Sequence, residues 1–227
     1  MSDYFIFNGV NSSTYMHIDV LPPITRATKD MDKIEIAGRD GFLTIDNNGA
    51  YKGIPKQVLA TVLDLENLDF ICEWLDGKGE VIFSNEPTRK YKATIINQVD
   101  LSKILRTFHS ILIQFECQPH KYPLDNYTET FTTMESIENG TNTISKPIIK
   151  VYGTGNIQII INSQVVFLYN VVGYVTMDSE MVDCYKDNVL KNSDMEGEFL
   201  RLEVGSNLIS WNGNVTKVEI TPNFRYV

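Results

Sequence analysis

The sequence predicts a mainly β protein with two β domains and one short helix. Three observations predict it. Apolar and polar residues alternate singly, as in Ile111, Ile113 and Phe115 against Leu112, Gln114 and Glu116, which is the period of a half-buried strand. In the second half, turn signals recur at roughly 8–12-residue intervals, the spacing of a β-sandwich. A single segment carries helical periodicity. There Leu65, Leu68, Ile71, Cys72 and Leu75 share one face, with Asp64 placed to cap it and Gly77 to close it.

The elements follow in chain order. Tyr4 to Phe7 reads as a strand that turns at Asn8-Gly9, and Tyr15 to Val20 as a second strand. Leu21-Pro22-Pro23 stops it, because proline cannot donate to a ladder. Residues 22–57 hold few core-sized clusters and many turn formers, among them Gly38, Gly41, Asn47-Asn48-Gly49, Gly53 and Pro55. An excursion of that length is usually functional or paired with something else. Gln57 to Leu63 is the next strand and the helix spans about 64–76. Strands follow at Glu80 to Phe83, Tyr91 to Val99 and Thr107 to Cys117. One helix laid on a β barrel or split sandwich is the natural assembly.

Two prolines in Gln118-Pro119-His120-Lys121-Tyr122-Pro123 interrupt the pattern, and residues 135–147 are polar and turn-rich. A domain boundary is expected near 120–130, giving domains 1–128 and 129–227. The second domain reads as all β. Its strands are Ile148 to Tyr152, Ile157 to Ile161, Val165 to Tyr169, Val175 to Met177, Met181 to Tyr185, Phe199 to Leu202, Leu208 to Trp211 and Val215 to Ile220. Gly153-Thr154-Gly155 is expected as a hairpin turn, and Asn212-Gly213 is the strongest hairpin signal in the chain.

Composition narrows the function classes. The formal net charge is -9 and no basic stretch stands out, which argues against a phosphate-contacting nucleic-acid binder. The N-terminus Met1-Ser2-Asp3-Tyr4 lacks the charged and apolar regions of a signal peptide. The longest apolar stretch, Val165 to Val175, is broken by Asn170 and Gly173, well short of the ~20 residues of a membrane span. No membrane partner and synthesis in a reducing cytoplasm are therefore expected. Cys72, Cys117 and Cys184 are odd in number and widely spaced. They form neither a disulfide framework nor a zinc set, and their apolar neighbours predict buried thiols.

Residues that could carry chemistry do not assemble into a catalytic pattern. His17, His109 and His120 lack metal-ligand spacing. Asp178, Glu180 and Asp183 read as solvated loop charges rather than a carboxylate pair across a cleft. Gly153-Thr154-Gly155 lacks the third glycine and the following helix of a dinucleotide site. No catalytic residue, metal or cofactor is expected. Trp211 and Arg201, near Asn212 and Asn214, are the candidates for stacking on a sugar, but the second half contains no histidine. A packed tryptophan is the expected role.

The segment Ile34-Glu35-Ile36-Ala37-Gly38-Arg39-Asp40-Gly41-Phe42-Leu43 reads as a tight reversal. Gly38, Arg39, Asp40 and Gly41 are the candidate interface residues, with arginine able to give geometry-specific pairing on a neighbouring subunit. This segment follows Phe7-Asn8-Gly9. Downstream lie Trp74-Leu75-x-Gly77-x-Gly79, Arg89-Lys90-Tyr91-Lys92-Ala93 and Phe115-Glu116-Cys117-Gln118-Pro119. Further on come Leu202-x-x-Gly205-x-Asn207-x-Ile209-x-Trp211-x-Gly213 and Pro222-Asn223-x-Arg225. Together and in this order, they resemble the siphophage distal tail protein family.

That resemblance implies a structural virion protein at the tail tip, with a ring-forming N-terminal split-barrel or β-sandwich domain and a galectin-like C-terminal β-sandwich. It also implies a homo-hexameric ring in which residues of about 22–57 form an arm that embraces the neighbouring subunit. The implied partners are the major tail tube protein and the tail-associated lysin, fibre or receptor-binding proteins of the baseplate. A carbohydrate-binding adhesion module of a phage tail is the alternative.

Overall fold

Asn8 and Gly9 take φ of 51° and 83°, the left-handed backbone a two-residue reversal requires. Phe5–Phe7 (β1) therefore folds back on Val10–Asn11 (β2). The computed structural model describes residues 2–62, 65–96, 101–103 and 109–227. The chain divides into two units, Met1–Lys121 with Val227, and Tyr122–Tyr226.

The first unit continues with Met16–Val20 (β3), Lys29–Glu35 (β4), Phe42–Tyr51 (β5) and Ile54–Val62 (β6). Leu68–Trp74 (α1), Lys78–Phe83 (β7), Arg89–Ile95 (β8), Leu101–Lys103 (β9) and His109–Pro123 (β10) follow. One sheet runs β2-β1-β7-β8-β10-β6-β3, with β9 also on β10, and β4-β5 form a separate two-stranded sheet. Phe5, Phe7, Phe83 and Phe115 meet in the core at ring separations of 5.6–5.7 Å. Trp74 stacks on Phe5 at 5.5 Å and donates its Nε1–H to the Phe7 carbonyl at 2.8 Å.

The helix is shorter than expected. Residues 65–67 form a 3₁₀ turn and α1 starts at Leu68; the proposed Asp64 cap lies outside the described residues, as do Leu63, Val99, Thr107 and Phe108. Its inward face is Ile71, Trp74 and Leu75, and Cys72 is exposed. The expected thiol burial holds for Cys117 and Cys184 and fails at Cys72, which lies one position beyond the buried Ile71 and turns away from the sheet. The arm also ends sooner than expected, since Ile54–Gln57 already lie in β6, paired with β10. Pro119 does not stop β10. The ladder to β6 ends at Cys117, so beyond it proline forfeits no bond to that neighbour.

The second unit contains Glu129–Phe131 (β11), Glu135–Asn139 (β12), Ile148–Ile161 (β13) and Gln164–Asp178 (β14). Asp183–Lys186 (β15), Val189–Leu190 (β16), Met195–Glu196 (β17) and Gly205–Thr221 (β18) complete it. The order is β11-β18-β13-β14-β15-β16, with β12 on β18 and β17 on β14. Three strands that the sequence divided are continuous. Gly153-Thr154-Gly155 is an irregularity inside β13, and Asn212-Gly213 lies inside β18 rather than in a hairpin. Likewise 165–169 and 175–177 are one strand, β14, with positive φ at Asn170 and Gly173.

The reason is close packing at the bend. A Cβ on Gly153 would stand 2.3 Å from the Asn214 carbonyl oxygen, and one on Gly213 would stand 2.6 Å from that of Asn156. These glycines let neighbouring backbones approach while the strands bend. The parts on either side of the bend bury Ile149 and Val151, and Ile157, Ile159 and Ile161, in one core.

Candidate assembly interface

Pairing in β4–β5 sets which side chains share a face. Opposite residues in an antiparallel ladder lie on the same side, and successive residues alternate. Ile34 is opposite Leu43 and Asp32 is opposite Ile45, so one face carries Ile34, Leu43 and Ile45 with Asp32 beside them. The other carries Met31 with Asp46, Lys33 with Thr44 and Glu35 with Phe42, and Lys33 Nζ sits 4.5 Å from the Phe42 ring centroid. Among the described residues, β4 and β5 pair with each other and with no other strand. The apolar face is open, with Ile34 at 45%, Leu43 at 42% and Ile45 at 43% exposure.

Two strands alone are marginally stable in water. The ion pairs of this ribbon, Lys29–Asp46 at 3.6 Å and Lys52–Asp30 at 3.2 Å, are solvent-exposed and contribute little. A clustered apolar face left in water marks a contact surface.

Gly38, Arg39, Asp40 and Gly41 lie together between β4 and β5. Gly38 and Gly41 have φ of 80° and 78°, and the Arg39 N–H donates to the Ile36 carbonyl at 3.1 Å. Arg39 and Asp40 are exposed, and within the described structure neither side chain has a hydrogen bond or ion pair. The arrangement presents charge at an exposed tip.

Trp211 and Arg201 are not brought together by any hydrogen bond, ion pair or ring contact among the described residues. Trp211 stands opposite Ile159 in the ladder and packs against the second core, while Arg201 pairs with Glu198 at 3.6 Å. The acidic loop serves local structure. Asp178 accepts the N–H groups of Glu180 and Met181, and Glu180 accepts from Arg225 at 3.4 Å. Among the described residues no cluster of three or more His, Cys, Asp or Glu could hold a metal. Burial pushes the Cys117 thiol up to about 12 and that of Cys184 to about 11, so neither is a thiolate nucleophile at neutral pH.

Sequence reading missed one charged set. Lys56 falls on the inward parity of β6, with Ile54, Val58, Ala60 and Val62, and is 3% exposed. Its ammonium group donates to the Pro23 carbonyl at 2.9 Å and lies 4.9 Å from the Tyr91 ring centroid. Lys121 pairs with Glu86 at 2.5 Å, and the Tyr91 hydroxyl donates to Glu86. Desolvation lowers the Lys56 pKa, offset in part by Cys117 and Glu86. A lysine on an otherwise apolar parity was the available signal.

Residues 9–117 match the family model of the phage tail protein RIFT-related domain. The first unit therefore carries a domain of that family. The fold of the whole chain is that of the siphophage distal tail proteins. It superposes on the SPP1 Dit protein (gp 19.1) with a TM-score of 0.77 at 15% identity, covering 100% of both chains. SPP1 Dit is described as a paradigm of the hub adsorption apparatus of phages infecting Gram-positive bacteria. A chain of the phage P2 baseplate, in its activated conformation with calcium, matches with a TM-score of 0.50 at 7% identity over 97% of each chain. No curated protein matches the sequence. Among the described residues no helix is long and apolar enough to cross a membrane.

Proposed function

We propose that this chain is a distal tail hub that closes a hexameric ring by laying its β4–β5 arm on the next copy. The observation that carries this reading is the open Ile34–Leu43–Ile45 face. A ring closes through heterologous contacts, in which one patch meets a different patch on its neighbour, and an uncovered apolar ribbon is a suitable donor. Arg39 and Asp40 at its tip add a polar docking contact. The ring joins the tail tube protein to tail-tip and baseplate proteins of the lysin, fibre or receptor-binding kind. The likeness to SPP1 Dit supports that position in the virion. No catalytic step belongs to this reading, and Trp211, half-buried against the second core, fits a packing role.

Light scattering and native mass measurement of the purified chain test it. A discrete six-copy species is expected. Placing aspartate at both Ile34 and Leu43 should leave monomers with an unchanged melting curve. A wild type that stays strictly monomeric at high concentration overturns the ring.

A further inference from the structure

The arm leaves the first unit through Leu21-Pro22-Pro23 and returns at Gly53 into β6. Neither proline has an N–H to donate, so at these two residues the backbone can be held only by its carbonyls. Both carbonyls are taken by side chains: Asn85 Nδ2 donates to Pro22 O at 2.9 Å, and Lys56 Nζ donates to Pro23 O at 2.9 Å. Lys56 lies on the returning strand, so its side chain ties the outgoing segment to the incoming one. Above this tie the Lys52 N–H donates to the Thr28 carbonyl at 2.9 Å. Phe83 and Tyr91 wall the ammonium group, and the Glu86–Lys121 pair stands beside it.

An apolar residue at this inward position would avoid burying a charge. We propose that Lys56 is a positioning residue for assembly: it fixes the line along which the arm leaves the fold, and so presents the arm ready-placed to the neighbouring copy. This rests on the reading of β4–β5 as the assembly arm. Holding the arm in its bound direction lowers the ordering cost of association.

Lys56→Met in the full chain keeps the length and apolar packing of the side chain but removes its donor. Three readouts are compared with wild type: thermal unfolding, amide hydrogen exchange at the arm root including the Lys52 amide, and oligomer formation. The melting temperature should stay level or rise, because the buried charge is gone. Exchange at the root should quicken by about tenfold, and association should weaken by about tenfold. Asn85→Ala, at an exposed residue, should move exchange and association in the same direction by less. Unchanged root exchange in Lys56→Met overturns the proposal. So does a general loss of stability, which would make Lys56 a member of the core rather than a brace. If the wild type fails to associate, the ring reading falls, and root exchange alone decides the role of Lys56.

Discussion

In the β13–β14 ribbon Ile157 faces Leu168 and Ile159 faces Val166, and all four are buried; in the β4–β5 ribbon Ile34 faces Leu43, and that pair is open to water. Both ribbons are antiparallel and both place aliphatic residues on one side. They differ in what covers that side. The first ribbon curls with β18 over its own core, whereas the second pairs with no other strand among the described residues. Alternation therefore says that a face will be covered, without saying which molecule covers it.

Truncating the covered face should have the largest effect. Ile159→Ala is expected to cost about 4 kcal/mol, because it empties a fully enclosed site; denaturant unfolding of the full chain measures it. A loss below about 1 kcal/mol would mean that this face is not a packed core. Next comes the bend that lets the second core close. Gly213→Ala forces a Cβ toward the Asn156 carbonyl at a φ of 102°, and should cost about 3 kcal/mol by overpacking plus backbone strain. A near-neutral result would show that the strands can shift apart, and that glycine there serves no close approach.

The same comparison explains what the sequence made legible. Strand existence was plain wherever one face is buried, as at Ile111, Ile113 and Phe115, because the core enforces period two. That the chain leaves the main sheet after Val20 was legible from Pro22-Pro23 and the run of turn formers after it. The glycines of the second unit misled, because Asn212-Gly213 is chemically identical whether it reverses a chain or admits a neighbouring carbonyl. Only the partner strand, distant in sequence, decides between those uses. Cys72 misled for a related reason: a seven-residue helix has so few inward positions that one step of rotation exchanges Cys72 for Trp74. Lys56 went unread because nothing local reveals that Pro23 waits for its ammonium group.

The covered and uncovered thiols sharpen the comparison chemically. Cys72 is exposed while Cys117 and Cys184 are buried with raised pKa values. An alkylating reagent at mildly alkaline pH should label Cys72 in the native chain and all three in denaturant, read by mass spectrometry. Labelling of Cys117 in the native state would mean that the β10 core opens readily.

On the uncovered ribbon, substitutions should be nearly silent for the isolated chain. Leu43→Ser should change stability by no more than about 0.5 kcal/mol, in contrast to Ile159→Ala, yet it should weaken association strongly because it lies mid-face. A substantial drop in chain stability would mean that the arm already finds cover within its own chain.

The smallest effect on folding is expected at the tip. The Arg39 side chain is exposed and pairs with nothing among the described residues of its own chain, so Arg39→Glu should leave the melting curve unchanged. Its effect belongs to the encounter between copies. If the guanidinium meets an acceptor on the neighbour, reversal of its charge should slow and weaken assembly. Added salt should then narrow the gap between variant and wild type, since exposed charges are screened within about 8 Å at 0.15 M ionic strength. Loss of Leu43 should instead persist at high salt, because burial of apolar surface is not screened. The two variants thus separate a polar tip contact from an apolar seam along the ribbon. If Arg39→Glu assembles with wild-type affinity at low salt, the tip makes no docking contact, and the apolar face alone carries the interface.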